Sequence, residues 1–182
     1  MTAALALDLG ERPMWSRIDI EDPRGRELAD RHYSRQTPGA DGYAPPGRRF
    51  AFYYDDDHGE WRRNHLGTAL WIVVYNLDPV GNPRWRNTMF HNESAWLSSW
   101  LCMRATEATF AVWLIRYKVL PAVRLTTEID IKKTASRRSK SKEPGVCFLE
   151  AGWEHWYDAP AEHGRSAKRV LWAPPERFGV AA

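Results

Sequence analysis

The hydrophobic pattern changes period several times along the chain, and each change marks an element. Trp15 to Ile20 alternates weakly and predicts a first strand. Asp22-Pro23 then places a capping side chain before the residue favoured at the first helical position, so a short helix is expected to about His32. Ser34 to Gly47 holds two Pro-Gly steps and Gly42 and reads as a loop. Arg48 to Tyr54 sets bulky groups on both faces of a strand, with its turn at Asp55 to Gly59. Leu66 to Tyr75 is mostly apolar and rich in branched residues, the pattern of a central strand. A turn at Asp78 to Pro83 and a strand at Trp85 to Phe90 follow.

Trp96 to about Lys118 contains neither Gly nor Pro. It keeps an apolar stripe through Leu97, Leu101, Ala105, Ala108, Val112 and Ile115, which predicts the longest helix, with capping chemistry at Asn92 to Ser94. Val123 to Asp130 alternates as a strand, and Lys132 to Lys142 reads as a basic, Ser-rich loop. Pro144 to Ala151 predicts a short helix closed by Gly152, and Trp153 to Tyr157 with Arg169 to Trp172 a terminal pair of strands. Three consecutive strands between helices argue against a doubly wound parallel sheet and fit an α/β (α+β) mixed sheet with helices on its faces.

Composition narrows the class. The 182 residues suit a single domain, 1–182, with residues 1–14 expected to be a flexible terminus. Two cysteines, Cys102 and Cys147, make no disulfide framework and fit a reducing, cytoplasmic setting. No apolar run approaches the roughly 20 residues of a membrane span, so no membrane association is expected. The six His show no zinc-ligand spacing, and neither a Walker motif nor a Gly-x-Ser-x-Gly elbow occurs. The net charge is only +3, yet Lys132, Lys133, Arg137, Arg138, Lys140 and Lys142 gather in one loop. A solvated, mobile loop is one explanation; a phosphate backbone is the natural partner for such a cluster, with Arg35, Arg62 and Arg63 extending the track.

Four pieces, in order across residues 32 to 153, resemble the Mom family of phage DNA-modification proteins, a divergent branch of the GNAT (N-acetyltransferase-like) fold. They are His32-Tyr33-Ser34-Arg35 with Thr37-Pro38-Gly39; Phe90-His91-Asn92-Glu93-Ser94 leading to Leu97-Ser98-Ser99; Thr127-Glu128-Ile129-Asp130; and Pro144-Gly145 with Cys147-Phe148 and Ala151-Gly152-Trp153. The element order is also the GNAT order. The resemblance implies an acyltransferase-like transferase that adds a small acyl- or carbamoylmethyl-type group to the N6 amine of adenine in double-stranded DNA. Such a product evades host restriction of bacteriophage DNA, and the enzyme works in the host cytoplasm. It leaves the donor open between acetyl-CoA and another small acyl or glycyl donor. Iron and a homodimer remain open as well. One feature departs from ordinary GNAT enzymes: residues 82 to 144 contain no Gly, so the Gly-rich pyrophosphate turn is missing and Ser98 and Ser99 stand near the helix start as donor-site candidates.

The catalytic candidates are His32, Tyr33, Glu93 and Asp130. His32 closes the first helix and serves as an acid/base or iron ligand, or else simply caps the helix dipole. Tyr33 is a donor or stacking group, or a packed ring. Glu128 and Asp130 share one face of a strand near its C-terminal end, where a carboxylate can take a proton from an attacking amine. Asp130 is preferred because it lies closer to the strand end; the other explanation is a solvated face paired with Lys132 and Lys133. Glu93 holds a substrate amine or hydroxyl, or belongs to a helix cap. Aromatics at Tyr43, Phe50, Phe52, Tyr53, Tyr54 and Trp61 are core rings or the walls of a base pocket. Two other functions fit the same layout. One is a conventional acetyl-CoA-dependent N-acyltransferase on a small amine or protein; the other is a catalytically inactive GNAT-like nucleic-acid-binding module.

Overall fold

The computed structural model describes residues 15–180 except 36, 41, 56–66, 135–142 and 163. The expected flexible terminus, most of the turn after Asp55, and Trp61, Arg62, Arg63, Arg137, Arg138, Lys140 and Lys142 lie outside the described residues.

Seven strands form one mixed sheet: β1 (Ser16–Ile18), β2 (Arg48–Asp55), β3 (Thr68–Leu77), β4 (Pro83–Asn92), β5 (Leu125–Asp130), β6 (Glu154–Ala159) and β7 (Lys168–Ala173). Their order is β1-β2-β3-β4-β5-β7-β6. Every pairing is antiparallel except that of β4 with β5. The helices are α1 (Pro23–Arg31), α2 (Ser98–Tyr117), α3 (Ile131–Thr134) and α4 (Val146–Glu150), with a 3-10 turn at Pro175–Phe178. The mixed α/β class expected from the element order is therefore present.

Strand alternation divides the core in two. Ala69, Trp71 and Val73 of β3 face α2, among Phe110, Trp113, Phe148 and Trp153. Leu70, Ile72 and Val74 face α1 and meet Leu28, Ala29, Tyr43 and Met89. Most of the expected aromatic cluster is core: Tyr43, Phe50, Phe52, Tyr53 and Tyr54 are all buried. Two threonines of α2 satisfy buried indoles, Thr109 accepting from Trp71 Nε1 at 3.1 Å and Thr106 from Trp153 Nε1 at 3.0 Å.

α1 begins as expected, with Asp22 Oδ1 accepting from the Arg24 N–H at 2.9 Å. α2 begins differently. It starts at Ser98 behind Leu97 with no side-chain cap, because Asn92 is spent on the preceding turn, where its amide meets the Trp96 carbonyl and Ser98 Oγ. Leu97 and Ile115, assigned to the buried stripe, are exposed; Cys102, Thr106, Thr109 and Trp113 are buried instead. The basic stretch also begins as structure: Lys132 and Lys133 ride on the helical turn α3 rather than in a loop. No described helix is long and apolar enough to cross a membrane.

Candidate active site: a cleft where two parallel strands part

β4 and β5 pair over three residues only, Trp85, Arg86 and Asn87 against Leu125, Thr126 and Thr127. A β-bulge begins the separation. Ile72 opposes Met89 and Val73 opposes Asn87, so Thr88 is an extra residue in β4, and the strand bends there. Asn87 mends the break: its amide donates to the Ile72 and Met89 carbonyls at 3.1 and 2.9 Å, while its oxygen accepts from Thr127 Oγ1 of β5 at 3.2 Å.

Two adjoining cavities of about 460 and 220 Å³ occupy the gap. They share a wall of Ser34, Asn87, Thr88, Met89 and Glu128. The larger lies on the α1 side, against Arg35, Tyr43 and Arg86. The smaller runs between the strands to Cys147 and Phe148 of α4, on the α2 side. The cleft thus reaches from one face of the sheet to the other, with Ser34 and Glu128 among the residues that line both cavities.

The residues after α1 bridge the mouth. The His32 ring meets the backbone of Phe90 in β4, and the Tyr33 phenol meets the backbone of Asp130 in β5. The two rings lie 4.3 Å apart. Adjacent residues thereby take up main-chain groups on opposite sides of the splay. His32 Nδ1 is 2.7 Å from Ser34 Oγ and accepts the Ser34 N–H at 3.3 Å. Burial and the neighbouring His91 push the His32 pKa down to about 4, so the imidazole is neutral at pH 7. Burial and the nearby Asp130 and Cys147 raise the Tyr33 phenol, which stays protonated.

Glu93 does not reach the cleft. Its carboxylate accepts two hydrogen bonds from Arg31 and one from His91 Nε2 at 2.9 Å, and His91 packs edge-on to His32 at 5.5 Å. Its contacts tie Arg31 of α1 to His91 of β4. Asp130 lies beside Tyr33 on the expected face, yet it is 2 % exposed and saturated with donors. Ser166 Oγ, Lys168 Nζ at 3.1 Å and the N–H groups of Lys132 and Lys133 at 3.1 and 3.0 Å all meet it. Although burial opposes ionisation, Ser166, the Lys133 N–H and Lys168 hold the carboxyl well below the usual range. Such a carboxylate is a poor proton acceptor, which counts against Asp130 as a base; its strand neighbour Glu128 is 44 % exposed, lines both cavities and, among the described residues, pairs with Arg86 at 3.6 Å.

Arg35, expected to contact DNA, is committed within the chain, to Asp30 of α1 at 2.8 Å and to the Ala40 and Gly42 carbonyls of its own loop at 2.7 and 3.2 Å. Lys132 and Lys133 are exposed, with Lys133 Nζ 6.0 Å over the Tyr33 ring. Ser98 and Ser99 open α2 outside the cleft lining. Among the described residues no group of three or more His, Cys, Asp or Glu is placed to hold a metal.

Sequence reasoning missed Asn87, Ser166, Lys168 and Cys147 as site residues. Cys147 sits in the smaller cavity with its pKa lowered, first by a hydrogen bond from Cys102. Gly145 places it there: at φ 81°, it leaves no room for a Cβ between Ile129 and Leu171. Only the Pro144-Gly145 step before Cys147 signalled this turn.

Fold and site together define a mixed α/β protein whose sheet opens into a cleft between β4 and β5. No family model matches the chain, no curated protein matches its sequence, and no solved structure matches its fold.

Proposed function

We propose that the chain is a GNAT-like transferase that adds a small acyl- or carbamoylmethyl-type group to the N6 amine of adenine in DNA, as its resemblance to the Mom family implies. The observation carrying the reading is the cleft between β4 and β5, which joins a larger cavity on one face to a smaller one on the other. A flipped base enters from the α1 side and the donor from the α2 side, and they meet at Ser34 and Glu128. The adenine amine is a weak nucleophile because its lone pair is delocalised into the ring. As its nitrogen bonds to the donor carbon, the N–H proton passes to the Glu128 carboxylate. Ser34, oriented by neutral His32, accepts a hydrogen bond from the amine and fixes its approach. The bond from the donor carbon to its leaving group breaks, and protonated Tyr33 supplies that group with a proton. The enzyme acts in the cytoplasm on double-stranded DNA.

A second reading is a conventional acetyl-CoA-dependent N-acyltransferase. The observation favouring it is the start of α2, with no side-chain cap and no acidic residue in its first turn beside Ser98 and Ser99, which suits an anionic donor.

The test is expression of the full chain in bacteria followed by mass spectrometry of host-DNA nucleosides. A new adenine-derived nucleoside, absent with equally soluble Glu128→Gln, is expected. Unchanged nucleosides from folded wild type would overturn the reading.

A further inference from the structure

Beyond the cleft, the same sheet face carries a third cavity of about 410 Å³, lined by Arg84, Arg86, Arg124, Trp156 and Tyr157 above Val170. It adjoins the reaction cleft through Arg86 and Glu128, which line both. α1 packs over β3 and β4, and at the edge of the sheet Trp156 and Tyr157 of β6 stand 46 % and 47 % exposed. Their common direction has a local cause. The register of β6 against β7 shifts between His155 and Tyr157, leaving Trp156 as an extra residue. Two consecutive rings, 5.1 Å apart, therefore line one cavity where a regular strand would send them to opposite faces.

Arg124 completes the surface. Its guanidinium lies 4.3 Å from the Trp172 ring and 5.0 Å from the Trp156 ring, and among the described residues it has no carboxylate partner. Arg84 and Arg86 are by contrast paired with Asp78 and Glu128. A guanidinium fixed between indoles presents a rigid donor edge suited to two phosphate oxygens. Exposed flat rings beside it offer stacking faces that any base satisfies.

We propose that Arg124, Trp156 and Tyr157 form a binding surface for unpaired nucleotides next to the reaction cleft, with phosphate on Arg124 and bases stacked on the two rings. This rests on the proposed DNA substrate: a base drawn from the duplex leaves its neighbours unstacked, and the surface holds that strand open.

The full chain is tested by fluorescence anisotropy against a labelled mixed-sequence single strand of roughly 15 nucleotides and its duplex. Salt-sensitive binding that favours the single strand is expected. Trp156→Ala with Tyr157→Ala weakens it roughly tenfold or more. Arg124→Ala weakens it too, and Arg124→Lys recovers only part because an ammonium lacks the planar fork. Single-strand affinity unchanged in all these folded variants would overturn the proposal. So would displacement of the strand by polyglutamate at matched ionic strength, which would assign the face to an acidic protein. A modified nucleoside made by wild type alongside indifferent variants overturns the surface alone. Variant-sensitive binding alongside unchanged host nucleosides overturns the enzymatic reading alone.

Discussion

Arg31 and Glu93 stand 62 residues apart in sequence and are joined by two parallel hydrogen bonds, Nε to Oε1 and Nη2 to Oε2, both 2.8 Å. The pair fastens the end of α1 to the end of β4 and fixes where His32 emerges. Because the Arg31 side chain is 35 % exposed, Arg31→Ala is expected to cost only about 1 kcal/mol of stability. Transfer activity should fall about tenfold through loss of positioning. Urea unfolding and nucleoside analysis separate the two effects. Glu93→Ala should do the same, and the double variant little more.

The two neighbouring histidines give a pH dependence of defined sign. His32 is pushed down to about 4 from 6.5, and His91 is lowered too, mainly by burial. Below about 6.5 the unfolded chain binds protons that the folded chain refuses, so folded-state stability is full above that pH and falls as the pH drops toward 4. For His32 the loss is on the order of 2 kcal/mol. Thermal melts of wild type and His32→Gln from pH 7 to pH 4 would show it, with the variant curve flatter. Equal slopes would refute the assignment.

Two carboxylates of β5 should separate stability from chemistry. Asp130→Ala removes the acceptor of four donors and is expected to destabilise by about 3 kcal/mol. Asp130→Asn should lose less and keep measurable turnover in whatever fraction stays folded. Glu128→Gln should leave the melting temperature nearly unchanged and reduce the rate about a hundredfold or more. A rate that collapses in Asp130→Asn but not in Glu128→Gln would return the base role to Asp130.

The thiols should differ in reactivity. Cys102 is fully buried with its pKa raised by burial, whereas Cys147 lines the cleft with its pKa lowered. Intact-mass analysis after brief native alkylation should find one adduct, on Cys147, and two after unfolding. The singly alkylated protein should lose activity because the adduct fills the smaller cavity. Retained activity would show that nothing has to occupy that cavity.

Much of the fold was legible because it depends on local period. The apolar run of β3, the alternation of β5 and the Asp22-Pro23 helix start all identify themselves. The site was legible in part. His32, Tyr33 and, from the third motif, Glu128 line the cleft. The choice between Glu128 and Asp130 was not readable, since alternation puts both on one face and two of the four donors that saturate Asp130, Ser166 and Lys168, lie more than thirty residues on. Arg35 misled for a similar reason. Its charge suggested a partner outside the chain; Asp30 pairs with it, and the loop carbonyls that take up its remaining donors leave no mark in side-chain composition. The bulge at Thr88 is set by the pairing of β3 with β4, which no single segment encodes.

The bridge made by His32 and Tyr33 has a consequence for selectivity. Where β4 and β5 part, main-chain groups of Phe90 and Asp130 are met by an imidazole and a phenol rather than by a neighbouring strand. A ligand that presses into this mouth has to displace these two contacts, so its binding is an exchange. One that offers donors and acceptors in their place is expected to bind better than an apolar molecule of equal size, which leaves main-chain groups without partners.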